Sequence, residues 1–204
     1  MISLPRLYPI LDRSCLADQA ALIAYAEELV SGGATLLEYR NKSGNARQML
    51  ADAELIRQSL GRNVRLIMND RADLCVAAEF DGVHVGQDDL SPAGARKVIG
   101  PHRWLGVSTH NPEQVREADQ TAANYIAVGP VFRTASKANP DPVIGLEGVR
   151  RARSLTEKPL VAIGGITRAN CRPVVEAGAD SVAVISGLFA DPRKSAEEFF
   201  AILR

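Results

Sequence analysis

Three groups of residues in this 204-residue chain have types and spacings that could do chemistry. The first is acidic. Asn69-Asp70 and Gln87-Asp88-Asp89 each follow a short apolar run, and neighbouring strands would bring their carboxylates to one place. Carboxylates without a zinc-type histidine cluster suit Mg²⁺, a hard ion that takes oxygen ligands, retains water and completes its shell with substrate phosphate. The competing use of Asp70, Asp88 and Asp89 is to cap the helices that follow them. The second group is basic. Arg40 and Lys42 follow one apolar run; Thr134, Ser136 and Lys137 follow another. Cations beside hydroxyls at separate strand ends describe a polyanion cradle, and opposite Mg²⁺ carboxylates the expected ligand is a diphosphate. Solvated surface cations are the plainer alternative. The third group is Ile163-Gly164-Gly165-Ile166-Thr167 together with Ile185-Ser186-Gly187. Glycines let backbone amides approach an anion, and a helix starting near Thr167 would add free N–H groups and a positive dipole end. A tight turn that merely needs glycine fits the same residues. A diphosphate held by metal and cations is a good leaving group, so the combination points to substitution at carbon with departure of pyrophosphate.

The elements that must position these groups alternate along the whole chain. Short β-rich runs are Leu7–Asp12, Thr35–Arg40, Arg65–Asn69, Gly82–Val85, Trp104–Ser108, Tyr125–Gly129, Leu160–Ile163 and Ser181–Ile185. Amphipathic helical stretches separate them, near Leu16–Ser31, Ala46–Leu60, Ala72–Glu79, Pro92–Ile99, Pro112–Gln120, Leu146–Ser154, Ala169–Ala177 and Ala196–Leu203. Strict βα alternation through eight units favours a single (β/α)8 TIM barrel, an α/β fold, over an open doubly wound sheet of five or six strands. No linker or composition break divides the chain, so one domain spanning 1–204 is expected. Ser31-Gly32-Gly33-Ala34, Glu79-Phe80-Asp81-Gly82 and Glu176-Ala177-Gly178-Ala179-Asp180 each end a helix with glycine before a strand. The polar residues follow the opposite strand ends, from Asp12 through Glu38, Ser108 and Ser186, and would converge on one rim, where barrels of this class build their sites. The long connection Pro130–Gly145 carries Thr134, Ser136 and Lys137.

Composition excludes several classes of partner. Lys+Arg and Asp+Glu both number 24, so the formal net charge is zero, which argues against a bulk electrostatic partner such as nucleic acid or an anionic membrane. No run of 18 apolar residues suggests a transmembrane helix, and the N-terminal stretch does not read as a signal peptide. Cys15, Cys75 and Cys171 offer neither a disulfide framework nor a CxxC pair, consistent with a reducing, cytoplasmic setting. His84, His102 and His110 have no metal-triad spacing; His84, inside a strand, reads as readily as a core residue as a site residue. No GxSxG, HExxH or Walker motif occurs.

Several segments together resemble thiamine-phosphate synthase along nearly the full length: Tyr39-Arg40-Asn41-Lys42, Ile67-Met68-Asn69-Asp70, Gly82-Val83-His84-Val85-Gly86-Gln87-Asp88-Asp89, Gly106-Val107-Ser108, Gly129-Pro130-Val131-Phe132-Arg133-Thr134-Ala135-Ser136-Lys137, Ala162-Ile163-Gly164-Gly165-Ile166 and Ala177-Gly178-Ala179-Asp180. The resemblance implies a (β/α)8 transferase that joins hydroxymethylpyrimidine diphosphate to thiazole phosphate, giving thiamine phosphate and pyrophosphate. It implies that Arg40, Lys42, Thr134, Ser136 and Lys137 hold the diphosphate and that Asp70 and Asp89 ligate Mg²⁺, with Asn69 nearby. Ser108 would lie beside the reacting methylene and, with Lys137 and Arg40, form the catalytic set. Gly165, Ile185 and Ser186 would hold the thiazole phosphate. The partners implied are these small molecules, with a homo-oligomer compatible. The family usually has glutamine where this chain has Glu38, and an ionised glutamate only accepts hydrogen bonds. Glu38 is in phase with Arg40 on its strand, so Arg40 is expected to neutralise it while it accepts from the pyrimidine amino group. A thiazole tautomerase of the same superfamily and a non-catalytic phosphate-ligand regulator are the alternatives; the first commonly has histidine where this chain has Pro130.

Overall fold

The computed structural model describes residues 2–134 and 141–204. Among these, eight parallel strands close into one barrel: β1 (Leu7–Asp12), β2 (Leu36–Arg40), β3 (Arg65–Asn69), β4 (Gly82–Val85), β5 (Trp104–Thr109), β6 (Tyr125–Val128), β7 (Leu160–Ile163) and β8 (Ser181–Val184), with β8 pairing back to β1. The intervening helices are α1 (Gln19–Ser31), α2 (Ala46–Leu60), α3 (Ala72–Ala77), α4 (Pro92–Ile99), α5 (Pro112–Asp119), α6 (Gly145–Arg153), α7 (Cys171–Glu176) and α8 (Pro192–Leu203). The expected (β/α)8 barrel is therefore the observed fold.

Period-two alternation along the strands divides the core. Tyr8, Ile10, Leu36, Ile67, Tyr125, Ala127, Val161 and Ala183 fill the barrel interior, and the intervening residues, such as Leu7, Leu11, Leu37 and Val83, pack outward against helix residues such as Leu22 and Phe199. The helices start where side-chain caps serve their first free N–H groups. Asp18 accepts from Ala21 N at 2.8 Å, so α1 begins at Gln19, later than its apolar pattern suggests. Asp191 accepts from Lys194 N at 3.1 Å and starts α8 at Pro192, earlier than expected. Ser91 caps α4, which frees Asp88 and Asp89 from that duty. No side chain caps α3: Asp70 stands just before it at φ 63°, and so does not cap it either.

The strand entrances, at the end of the barrel away from the rim, carry a construction repeated three times. Arg57 of α2 donates to Gly61 O and Asp81 Oδ2 at 2.8 and 2.6 Å, while Asp81 Oδ2 accepts from Leu66 N at 2.8 Å. Arg96 of α4 donates to Gly100 O and Asn124 Oδ1 at 2.8 and 2.7 Å, and Asn124 Oδ1 accepts from Leu105 N at 2.8 Å. Arg153 of α6 reaches Lys158 O and Asp180 Oδ2, both at 3.0 Å, and Asp180 Oδ2 accepts from Leu160 N at 2.8 Å. Each clamp ties an even-numbered helix to the entrances of two adjacent strands, satisfying carbonyls that the turns would otherwise strand. The glycine expectation holds for Gly33 and Gly178 (φ 99° and 113°), but at the end of α3 the left-handed residue is Glu79 (φ 52°), because Gly82 already belongs to β4.

Candidate active site

The strand ends at the rim enclose a cavity of about 740 Å³. Each expected site residue that is described lines it: Glu38, Arg40 and Lys42 from β2 and its continuation, Asn69 and Asp70 from β3, Asp89 after β4, and Ser108 from β5. Thr134 enters after β6, Gly165 after β7, and Ile185 and Ser186 after β8. Ser136 and Lys137 lie outside the described residues.

On the β1–β4 side, acids and bases interlock. Arg40 pairs with Asp12, and Asp12 is itself held by Ser14 N and Ser14 Oγ at 3.0 and 2.6 Å. Lys42 Nζ donates to Asp70 Oδ2 at 2.5 Å. Asp89 Oδ2 accepts from Gly86 N at 2.8 Å, which fixes the acid in the turn after β4. Asp70 is pushed up to about 6, first by burial and then by Asp89 alongside, against the pull of Lys42. Two carboxylates crowded this way favour a cation between them. No cluster of three or more His, Cys, Asp or Glu suited to a metal occurs among the described residues; Asp70 and Asp89 are two hard oxygen donors lining the same cavity, a donor type that fits Mg²⁺. Asn69 lines the same cavity, and its buried Nδ2 has no hydrogen-bond partner among the described residues.

Beneath this wall runs a hydrogen-bonded chain that crosses the barrel. Tyr8 Oη donates to Glu38 Oε2 at 2.7 Å; Tyr8 and Tyr125 share a contact of 2.8 Å; Tyr125 Oη meets His84 Nδ1 at 3.1 Å; His84 Nε2 meets Ser108 Oγ at 2.8 Å. The register sets His84, Gly106 and Tyr125 side by side on β4, β5 and β6. Gly106 is what lets the outer two touch, since a Cβ there would collide with Tyr125 Oη and His84 Nδ1. Burial drives the His84 imidazole down to about 4 and both phenols well up, so the imidazole is neutral.

Glu38 departs from expectation. It points into the cavity as its strand phase predicts, but Arg40 pairs with Asp12 and not with it. Among the described residues its hydrogen-bond donor is Tyr8 alone, and burial, partly offset by that bond, raises its carboxyl to about 7. Tyr8 and Tyr125 were not anticipated as site residues, because an aromatic in an apolar strand reads as core. Their inward phase with Ile10 and Ala127 was the available signal, but their contact joins positions 117 apart.

Opposite, Gly164 and Gly165 take φ 101° and 64°, and β7 is extended by the segment after β6: Val131 N and Phe132 N donate to Ile163 O and Gly164 O at 2.9 and 3.0 Å. A Cβ at Gly165 would strike Arg133 O, so glycine is needed for both angle and space. The helix expected near Thr167 starts later, at Cys171, because Asn170 Oδ1 takes Thr167 N at 2.7 Å and spends a turn before α7. On this side the cavity is lined by the glycine turn with Ile166 and Thr167 and by Ile185 and Ser186, where the 3-10 turn Ser186–Leu188 begins; Cys171 at the start of α7 does not line it. His110, also unanticipated, lines the cavity, with Nδ1 at 2.7 Å from Gly129 O and Nε2 at 3.5 Å from Asp141 Oδ2.

A closed (β/α)8 barrel with cations, paired acids and glycine-built turns around one rim cavity defines the class of TIM-barrel proteins. The chain matches the thiamine monophosphate synthase family over residues 7–188, and it belongs to that family. It is 58% identical, over 99% of its length and 97% of the relative's, to the thiamine-phosphate synthase of Koribacter versatilis. It is 44% identical to that of Chloroflexus aurantiacus, over 91% of this chain and 85% of the other. The thiamine phosphate pyrophosphorylase structure from Pyrococcus furiosus superposes with a TM-score of 0.85 at 32% identity, covering 97% of this chain and 95% of that one. A 3-hexulose-6-phosphate synthase structure shares the fold alone, at TM-score 0.76 and 18% identity. The chain is accordingly a transferase of the thiamine-phosphate synthase type.

Proposed function

We propose that the rim joins hydroxymethylpyrimidine diphosphate to thiazole phosphate, with Mg²⁺ held by Asp70 and Asp89. The observation that carries this reading is one cavity with two unlike walls: Arg40, Lys42, Asp70, Asp89 and the unpartnered Asn69 amide on one, the Gly164-Gly165 turn and Ser186 on the other. The first wall suits a metal-bound diphosphate and the second a monophosphate, so their ligands meet over the barrel mouth. Mg²⁺, when bound, supplies positive charge that stabilises the departing pyrophosphate.

Arg40 and Lys42 hold the diphosphate oxygens, and Asn69 donates its free amide to them. Both cations are pre-oriented by acids, Arg40 by Asp12 and Lys42 by Asp70, and exchange part of that pairing for the ligand. Thr134 stands at the β6 side of the same ligand; the family resemblance assigns Ser136 and Lys137 there too. The aminopyrimidine can stabilise positive charge on its methylene as pyrophosphate leaves, with Ser108 beside that carbon. The thiazole nitrogen attacks with a lone pair that needs no deprotonation, so the protein's work is alignment and charge stabilisation. Gly165, Ile185 and Ser186 fix the thiazole phosphate for that in-line approach. Cys15, Cys75 and Cys171 are all free thiols, which supports a reducing, cytoplasmic setting. No helix among the described residues is long and apolar enough to cross a membrane.

The test is incubation with both substrates and Mg²⁺, followed by mass detection of thiamine phosphate and assay of pyrophosphate. The expected result is stoichiometric release of both, requiring both substrates and lost in excess EDTA. Pyrophosphate released without the thiazole partner, or undiminished turnover in EDTA, would refute this assignment of the walls.

A further inference from the structure

The chain Glu38, Tyr8, Tyr125, His84, Ser108 consists of groups that each have a fixed number of protons to give, so its direction is constrained end to end. We propose that Glu38 sets the direction of this chain, and thereby decides whether Ser108, on the far side of the barrel, faces a ligand as an acceptor or as a donor.

An ionised carboxylate can only accept. Tyr8 must then give its one proton to Glu38, and its oxygen must accept from Tyr125. Tyr125 has in turn spent its proton, so the 3.1 Å contact with His84 requires that Nδ1 carry the hydrogen. A neutral imidazole with hydrogen on Nδ1 has a bare Nε2, which accepts from Ser108 Oγ across 2.8 Å. Ser108 is left with lone pairs only towards the cavity. A protonated Glu38 permits the reverse course: it donates to Tyr8, Tyr8 to Tyr125, Tyr125 to Nδ1, and Nε2–H to Ser108. The serine proton is then free to be offered to a ligand. No net charge moves along the chain; each hydroxyl turns and His84 exchanges one neutral tautomer for the other.

The balance is set first by burial, which opposes the anion, and then by the groups facing Glu38: Tyr8 on β1 supports the anion through its hydrogen bond, Asp70 at the end of β3 opposes it, and Arg40 and Lys42 favour it. Tyr125 on β6 lies behind Tyr8 and is itself pushed up, first by burial and then by the Glu38 charge. With the anion, both ends of the chain present acceptors, a pair of surfaces suited to a ring bearing N–H donors. A glutamine at position 38 can both accept and donate, and so leaves the direction unspecified. The inference rests on the geometry of the free protein and does not depend on which substrates the rim takes.

The experiment is ¹⁵N–¹H two-bond correlation spectroscopy of the full chain labelled in its three histidines, His84, His102 and His110, with the His84 signals assigned by a His84→Gln comparison. At about pH 8.5 the wild type is expected to show His84 as the Nδ1–H tautomer, and to move towards the Nε2–H tautomer, still neutral, as the pH falls below about 7. In Glu38→Gln the His84 tautomer ratio should not change over that range. An Nε2–H tautomer in the wild type at pH 8.5 would overturn the proposal, and so would the same pH-dependent exchange persisting in Glu38→Gln.

Discussion

Replacing Glu38 by glutamine removes a buried charge without changing shape, and its effect on stability has a sign that depends on pH. The carboxyl ordinarily titrates at 4.5 and in the folded barrel at about 7, because burial penalises the anion. Between those values the folded protein keeps the proton and the unfolded chain has lost it. Stability therefore falls as the pH rises through this window and levels off above 7. At roughly 1.4 kcal/mol for each tenfold difference in proton affinity, the full cost of the ionised side chain is about 3 kcal/mol. Glutamine carries none of it and still offers Tyr8 an acceptor. For a chain of this length, 1 kcal/mol displaces Tm by about 2–4 °C, so Glu38→Gln should melt roughly 6–12 °C higher than wild type at pH 8.5 and at nearly the same temperature at pH 4. Differential scanning calorimetry of both proteins across this range is the assay. A gap that does not change with pH, or a variant less stable than wild type at pH 8.5, would refute the argument that burial dominates at this position.

Asp89→Ala should lower turnover by more than about 100-fold with the far-UV circular dichroism unchanged, because it removes one of the two carboxylates facing the cation; isothermal titration with Mg²⁺ and a diphosphate should show the matching loss of binding. Gly106→Ala should cost about 1–3 kcal/mol in denaturant unfolding, since its Cβ must displace the Tyr125–His84 contact, and should change the His84 resonances. Arg96→Ala should cost about 1–3 kcal/mol by leaving the carbonyls of Gly100 and Arg103 without their side-chain donor and Asn124 Oδ1 with Leu105 N alone, yet leave KM for both substrates unaltered because the clamp lies at the opposite end of the barrel.

The alternation of strand and helix, the barrel it closes into, and the polar residues gathered at one rim were all readable in the sequence, because they depend on local periodicity. A side chain two residues from another on a strand must share its face, which is how Glu38 and Arg40 were both placed towards the cavity. The glycine turn after β7 was equally local. What the tertiary structure alone decided is which polar groups meet. Arg40 chose Asp12 over Glu38, a nearer residue in sequence, because β1 sits beside β2 and presents Asp12 level with Arg40. Asp70, Asp88 and Asp89 could all have been caps; Ser91 took that role at α4, and α3 went without a side-chain cap. The clamps of Arg57, Arg96 and Arg153 bridge from a helix end to an Asp or Asn 24, 28 and 27 residues away, beyond the reach of any local pattern. The buried chain from Glu38 to Ser108 draws on β1, β2, β4, β5 and β6. Hydrogen bonds depend on distances of a few tenths of an ångström between groups far apart in sequence, and only closure of the barrel sets those distances.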